Sequence, residues 1–302
     1  MNVCATGAFN YTGRFVSTRL LHGGHSVRTL TSKRPPAEGP LRDIPSHPLT
    51  FCEEDRLTRF LDGTDVLINT YWIRFERGEN TFARAVENSR SLFAAAQRAG
   101  VRRIVHVSIA NPGAAPELPY YAGKQKVEEI LGNCGVEFAI ARPTVLFGHG
   151  DVLINNIAWL VRRFPFFLLP GREPMRIQPV QCDDYADLLI RLISAPSGTV
   201  CDAVGPESFT FRELVQCIAS AVGRKVRPLA VPARVAWMVT TFAGWYLRDV
   251  VLTWDEVLGL HKDLLVSSSP PTCETRLTEW LGAHASEVGA TYSNELTRHF
   301  RP

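Results

Sequence analysis

Apolar and polar positions change period repeatedly along the first half of the chain. Val3 to Ala5 is a short apolar run that reads as a buried strand. From Thr12 to Leu21, Phe15, Val16, Leu20 and Leu21 recur at helical spacing, and Gly23-Gly24 stop the helix. His25 to Thr31 alternates as a second strand, and the proline-rich stretch from Ser32 to Pro48 is loop by composition. "LTFCEE" from Leu49 predicts a third strand, "RLTRFLDG" a helix with its glycine stop, and "DVLINTYW" from Asp65 a fourth strand. An amphipathic helix follows over 81–100, ending at Gly100. Then come a fifth strand at "RRIVHVSIA", a helix at "YYAGKQKVEEILGNCG" and a sixth strand at "EFAIARPTVLFG". This alternation predicts an α/β fold with a doubly wound parallel sheet.

Beyond Gly148 the pattern loosens. An apolar helix and aromatic loop start at Asp151, a strand and helix at Arg176, and a strand, turn and helix at Thr199; the tail from Val231 is helical. The expected organisation is a dinucleotide-binding domain over 1–150, to which 175–204 return. A smaller, mostly helical substrate-side region would comprise 151–174 and 205–302. The apolar stretch Ala236 to Leu247 is interrupted by Thr240, Thr241 and Gly244 and is too short to span a bilayer of roughly 30 Å; it reads as a buried or groove-lining helix.

Composition narrows the function. At 302 residues and 45% hydrophobic side chains the chain can bury a large core. Its formal charge of +3, from 33 basic and 30 acidic residues, gives little support to nucleic-acid or membrane-surface binding. Seven scattered cysteines without a CxxC pair read as free thiols in a reducing compartment, and no metal site is expected. The opening Met1-Asn2-Val3-Cys4 has no room for a signal peptide, so a cytoplasmic location is expected.

The candidate chemistry begins at "TGAFNYTGR". A strand, a glycine loop and a helix in this order form a dinucleotide cradle, where backbone N–H groups and the helix N-terminus meet a pyrophosphate. Gly7 supplies the tight turn and Gly13 the close helix–strand packing, with Phe9, Tyr11 and Thr12 between and around them. Asn10 stands where another glycine is usual; asparagine tolerates the left-handed region, so the backbone path survives. After the second strand, Ser32, Lys33 and Arg34 precede any carboxylate, which favours a 2′-phosphate over a 2′-hydroxyl. NADP(H) is therefore the preferred cofactor, with NAD(H) kept as an option.

Taken in order, the loop, "ENSRSLFAAAQRAGVRRIVHVS", "YYAGK", "ARPTVLFG", "QCDDYADL" and "VGPESFTFRELV" resemble an extended or atypical short-chain dehydrogenase/reductase over about residues 1 to 225. The resemblance extends to the branch holding the nucleotide-binding accessory subunit of respiratory complex I. It implies that Tyr120 is the acid/base and that Lys124 binds the nicotinamide ribose and lowers the phenol pKa, with Asn88 supporting the lysine through water. It also implies that Asn69, Thr70, Tyr71, Pro143 and Thr144 line the cofactor. The third catalytic position departs from the pattern: Ser108 matches the first of two hydroxyl residues, but Ile109 occupies the usual catalytic place. Ser108, Tyr121 or a water would have to replace the missing donor.

Other candidates have structural readings. Asp183 and Asp184 suit a helix N-terminus, His106 a core strand, and His149 a loop. The aromatic residues Trp159, Phe164, Phe166, Phe167, Trp237, Trp245 and Tyr246 read mainly as core, with some left to line a pocket for a small hydrophobic substrate or to dock a partner. The expected function is reduction of a carbonyl or enone. A nucleotide-loaded, non-catalytic subunit is the main alternative, an epimerase or dehydratase a third, and a homodimer or partner protein stays open.

Overall fold

Short apolar strands that alternate with amphipathic helices can bury both faces only in a covered parallel sheet. The computed structural model, which describes residues 1–172 and 174–300, builds that sheet from β1 (Asn2–Thr6), β2 (Ser26–Leu30), β3 (Ser46–His47), β4 (Val66–Asn69), β5 (Arg103–Val107) and β6 (Glu137–Pro143). Helices α1 (Tyr11–His22), α2 (Glu54–Leu61), α3 (Phe82–Arg98) and α4 (Pro119–Gly132) lie between them in sequence. The chain then runs through β7 (Val145–Phe147), α5 (Leu153–Arg163), β8 (Phe166–Pro170), β9 (Arg176–Ile177) and β10 (Pro179–Gln181). It rejoins the sheet through α6 (Cys182–Leu192) and β11 (Thr199–Ala203).

The seven strands lie in the order β11-β6-β5-β4-β1-β2-β3, every neighbouring pair parallel. Connections run outward in both directions from β1 and β4, so the switch point, where α/β sheets bind ligands, falls between these two strands. One face is covered by α2, α3 and α4, and the other by α1 and α6. Leu57, Leu67, Leu92, Phe93, Ile104 and Val127 form the core on the first face. Asp183 and Asp184 stand in the first turn of α6, as expected for a helix start, and Arg19 of α1 joins Asp183 at 3.3 Å and Asp187 at 3.2 Å.

Two strand assignments are corrected. The third strand is Ser46–His47, inside the expected loop, and Leu49 to Glu53 is irregular with a turn at Phe51 and Cys52 before α2 begins at Glu54. Pro45 and Pro48 bound this edge strand, and it needs only the pairs Thr29 with Ser46 and Leu30 with His47. The sixth strand stops at Pro143; Val145–Phe147 is β7, which pairs with β10 in a separate ribbon. The compact units accordingly divide at Pro143, not at residue 150, with Cys182–Ala203 returning to the first.

The second unit contains β7 to β10, α5 and everything from Val204: β12 (Phe209–Thr210), α7 (Phe211–Ala221), β13 (Arg227–Val231), α8 (Ala233–Leu247), α9 (Trp254–His261), α10 (Leu277–His284) and α11 (Glu295–Phe300). Its core joins Ile154, Ile157 and Val161 of α5 to Leu214, Ile218 and Leu281. Capping boxes at Thr210/Glu213 and Thr253/Glu256 start α7 and α9. His149 packs on α10, its ring 4.6 Å from that of His284, in keeping with its loop reading. Of the two readings of α8, buried or groove-lining, the buried one is overturned: only Ala236 and Gly244 are buried, because a small-residue stripe faces the protein and the large side chains face outward. No helix of the described residues is long and apolar enough to cross a membrane.

Candidate functional site

The glycine loop closes over the end of β1 by a chain of short bonds. Gly7 N–H donates to Leu30 O at 2.8 Å, Asn10 N–H to Gly7 O at 2.8 Å, and Ala8 N–H to Thr29 Oγ1 at 3.0 Å. Thr29 Oγ1 in turn donates to Ala5 O at 2.7 Å, which fastens the loop to β2; nothing in the loop motif itself points to Thr29. Gly7 adopts φ +66°, the left-handed conformation that glycine enters at little cost. At Gly13 a Cβ would stand 2.0 Å from Gly7 O, so only glycine allows α1 to meet the loop here.

Asn10 behaves differently from its sequence expectation. It is the N-cap of α1 with φ −85° and ψ 174°, ordinary extended backbone that needs no left-handed tolerance. Its side chain makes no capping bond, and Oδ1 is buried without a hydrogen-bond partner. The first-turn N–H groups that every helix leaves without intrahelical acceptors thus face a loop kept thin by two glycines. These features fit a dinucleotide: the amides and helix N-terminus suit a pyrophosphate, and the lone Asn10 acceptor suits a ribose hydroxyl. Past β2, Ser32 and Arg34 are exposed and Lys33 half-buried, with Lys33 N–H donating to Thr31 Oγ1 at 3.2 Å.

A buried polar network ties the ends of β1, β4 and β5. Asn69 Oδ1 accepts from Thr6 Oγ1 at 3.2 Å and from Tyr71 N–H at 3.1 Å, while Thr70 N–H donates to Thr6 Oγ1 at 2.7 Å. Asn69 Nδ2 then donates to His106 Nδ1 at 3.1 Å, which fixes the imidazole tautomer. Burial, with the Lys124 charge nearby, holds His106 well below the usual histidine range, so it is a neutral core residue. This network holds Asn69, Thr70 and Tyr71 at the carboxyl end of β4, beside the switch point.

Tyr120 and Lys124 are one helical turn apart in α4. The Tyr120 ring is half-exposed and meets Trp72, Phe82 and Tyr121 edge-on, with centroids 6.0, 5.7 and 5.6 Å away. Lys124 is only 2% exposed; its Nζ donates to Val107 O at 2.9 Å and lies 4.9 Å from the Trp72 ring centroid. Burial lowers its pKa to about 7, with nearby Glu128 acting in the opposite sense. Glu128 is itself clamped by Arg142 through bonds of 3.0 and 2.5 Å. Asn88 donates to Tyr71 Oη at 2.8 Å, a different contact from the lysine support that the resemblance implies.

Ser108 Oγ is buried without a hydrogen-bond partner, and Ile109, 9% exposed, fills the next position. Tyr121 is buried. Pro143 O accepts from Ala110 N–H at 2.9 Å, whereas Thr144 begins the second unit and bonds Gln178 O. Motif reading misses Trp72. Its ring approaches α4 so closely that a Cβ at Gly123 would lie 2.9 Å from it, and the signal for this was the glycine between Tyr120 and Lys124.

The depressed lysine makes stability depend on pH. Between about pH 7 and the ordinary lysine value of 10.5, the unfolded chain binds the proton that native Lys124 has released, so stability rises with pH across this window. The stability of Lys124→Met relative to the wild type is expected to fall steadily from pH 7 to pH 10 in urea titrations. A constant difference would contradict the assignment.

Residues 7–152 match the family model described as NAD(P)H-binding. An uncharacterized protein of Mycobacterium tuberculosis is 29% identical over 248 residues, 80% of this chain and 25% of the relative, so the chain spans about a quarter of that protein's length. The mitochondrial NADH dehydrogenase (ubiquinone) 1 alpha subcomplex subunit 9 of Arabidopsis thaliana is 22% identical, with 87% of this chain and 70% of the relative aligned. Among solved structures, an NADPH-dependent quinone oxidoreductase of Escherichia coli complexed with NADPH superposes with a TM-score of 0.74 at 20% identity, covering 93% of this chain and 99% of that one. At this identity the likeness shows the fold.

Proposed function

Because the chain is a Rossmann-fold protein of the NAD(P)-binding family, we propose that it is an NADP(H)-dependent reductase of a small apolar enone or quinone. The observation that carries this reading is the pairing of Tyr120 with Lys124 on one turn of α4, in the unit that holds the glycine cradle. When bound, the cofactor supplies hydride. Tyr120 donates a proton to the substrate oxygen as charge develops there, and Lys124, partly charged near neutral pH, lowers the cost of the phenolate left behind. Hydride and proton together add two hydrogens to the substrate.

Ile109 narrows the substrate class. An ordinary ketone needs two donors on its oxygen, and removing one such donor typically costs about 10²–10³ in rate. Enones and quinones accept hydride more readily and depend less on the missing hydroxyl. The Escherichia coli neighbour, a quinone oxidoreductase, supports this direction. Phenanthrenequinone and cyclohexenone assayed by NADPH oxidation test it: turnover that exceeds turnover of saturated cyclohexanone supports the reading, and turnover of none overturns it.

A second reading is a protein that binds the nucleotide without cycling it. Ile109, the burial of Lys124 beneath Trp72, and the relative from a mitochondrial NADH dehydrogenase favour it. Binding of NADPH without oxidation by any substrate would support it.

The cofactor preference rests on Lys33 and Arg34 after β2. Each charge-assisted bond to a 2′-phosphate contributes about 1.5–3 kcal/mol, and about 1.4 kcal/mol is tenfold in affinity. Lys33→Ala with Arg34→Ala is therefore expected to weaken NADPH binding by about tenfold or more and leave NADH within about twofold. Equal losses in isothermal titration would remove the 2′-phosphate assignment.

A further inference from the structure

Helix α8 has two apolar faces and only one of them is used. Ala236, Thr240, Gly244 and Leu247 follow one another at three- and four-residue steps on the protein side, with Ala236 and Gly244 buried. On the opposite side Val235, Met238, Val239, Phe242, Trp245 and Tyr246 recur at the same steps, and all are exposed. Phe242 is 70% exposed, Trp245 84% and Tyr246 83%. Helices apolar on every face are normally buried or within lipid, and scattered surface residues do not form a continuous stripe of this kind. Phe166 and Leu229 extend the apolar surface of this unit: both are exposed, on the ribbon of β8 and β13 that adjoins α8 in sequence and contact.

The charges of the same segments are of one sign. Between Glu213 and Asp249, the residues from Leu214 to Arg248 include Arg224, Lys225, Arg227, Arg234 and Arg248 and no carboxylate. The near-neutral total for the chain conceals this segregation. We propose that the outward face of α8 docks on an anionic lipid bilayer, with its aromatic and aliphatic side chains entering the headgroup boundary and the flanking arginines meeting lipid phosphates. At about 22 Å, α8 is shorter than a hydrocarbon core of roughly 30 Å and so lies along the surface. Tryptophan and tyrosine on such a face suit the boundary, because one end of each ring system is apolar and the other polar. A second copy of the chain is a poorer occupant, since α8 itself carries no carboxylate to pair with the arginines of another copy.

The test floats the full chain with vesicles of phosphatidylcholine alone and of phosphatidylcholine mixed with phosphatidylglycerol. The wild type is expected to bind the mixed vesicles at least about tenfold better, with binding weakened by salt. Phe242→Gln with Trp245→Gln and Tyr246→Gln changes only exposed positions and is expected to abolish binding, while Arg227→Glu with Arg234→Glu is expected to remove the preference for anionic vesicles. Because a variant can fail to fold, wild-type tryptophan fluorescence is also followed with brominated anionic lipid, and quenching is expected. Absence of vesicle binding and quenching overturns the proposal, as does vesicle binding that the triple change leaves intact. A dimer seen by light scattering and lost in the triple variant, without vesicle binding, also overturns it and gives the face to a second copy.

Discussion

Gly13→Ala is expected to weaken NADPH binding by about a hundredfold or more and to lower the stability of the first unit. The added Cβ would stand 2.0 Å from Gly7 O, 2.7 Å from Gly7 C and 3.1 Å from Ala8 Cα. These are backbone atoms and cannot rotate aside. Gly7 is itself fixed at φ +66° and bonded to Leu30, so relief has to come from moving α1 away from the loop. Overpacking of this kind costs about 1–3 kcal/mol in stability, and displacing the helix N-terminus removes the amides from the pyrophosphate position. A control separates this from general intolerance. Gly282 in α10 has nothing within 4 Å of a built Cβ, and Gly282→Ala should leave NADPH affinity unchanged and stabilise by up to about 1 kcal/mol. Isothermal titration and urea unfolding of both variants check the pair; unchanged affinity in Gly13→Ala would show that the loop does not hold the nucleotide.

Tyr120→Phe is expected to lower kcat with an enone or quinone by about 10²–10⁴, the usual contribution of a positioned general acid, while NADPH affinity stays within about twofold. The substitution keeps the ring that contacts Trp72, Phe82 and Tyr121, so a loss traces to the hydroxyl and not to the aromatic cluster. Steady-state kinetics beside direct NADPH titration make the separation. Unchanged kcat would remove Tyr120 from the chemistry. A fall in kcat matched by a fall in NADPH affinity would assign the residue to the cofactor pocket.

Much of the first unit was legible because local and global signals agree there. Apolar runs, glycine stops and the strand–loop–helix order at Gly7 all point to one parallel sheet, and the protein has it. The failures have specific causes. Edge strand β3 needs two paired residues between prolines, too little for a period to register, whereas the more apolar Leu49 to Glu53 imitates a strand. Asn10 was legible as a substitution for glycine but not in conformation, since an N-cap is satisfied by extended backbone. Helix α8 reads as buried or groove-lining because apolar content does not say which face is covered; here Ala236 and Gly244 are buried while Trp245 and Tyr246 are not. In the candidate site, the Tyr120/Lys124 spacing was legible, but the cover that Trp72 lays on Lys124 joins residues 52 positions apart, beyond any local pattern.

Every role proposed for Tyr120 and Lys124 requires a loop that holds NADP(H), and the most direct measurement is a fluorescence titration of the purified protein with NADPH and, separately, NADH. Saturable binding of NADPH at least about tenfold tighter than NADH is the result expected from the Gly7–Gly13 cradle and from Lys33 and Arg34. Absence of saturable binding to either nucleotide would contradict it.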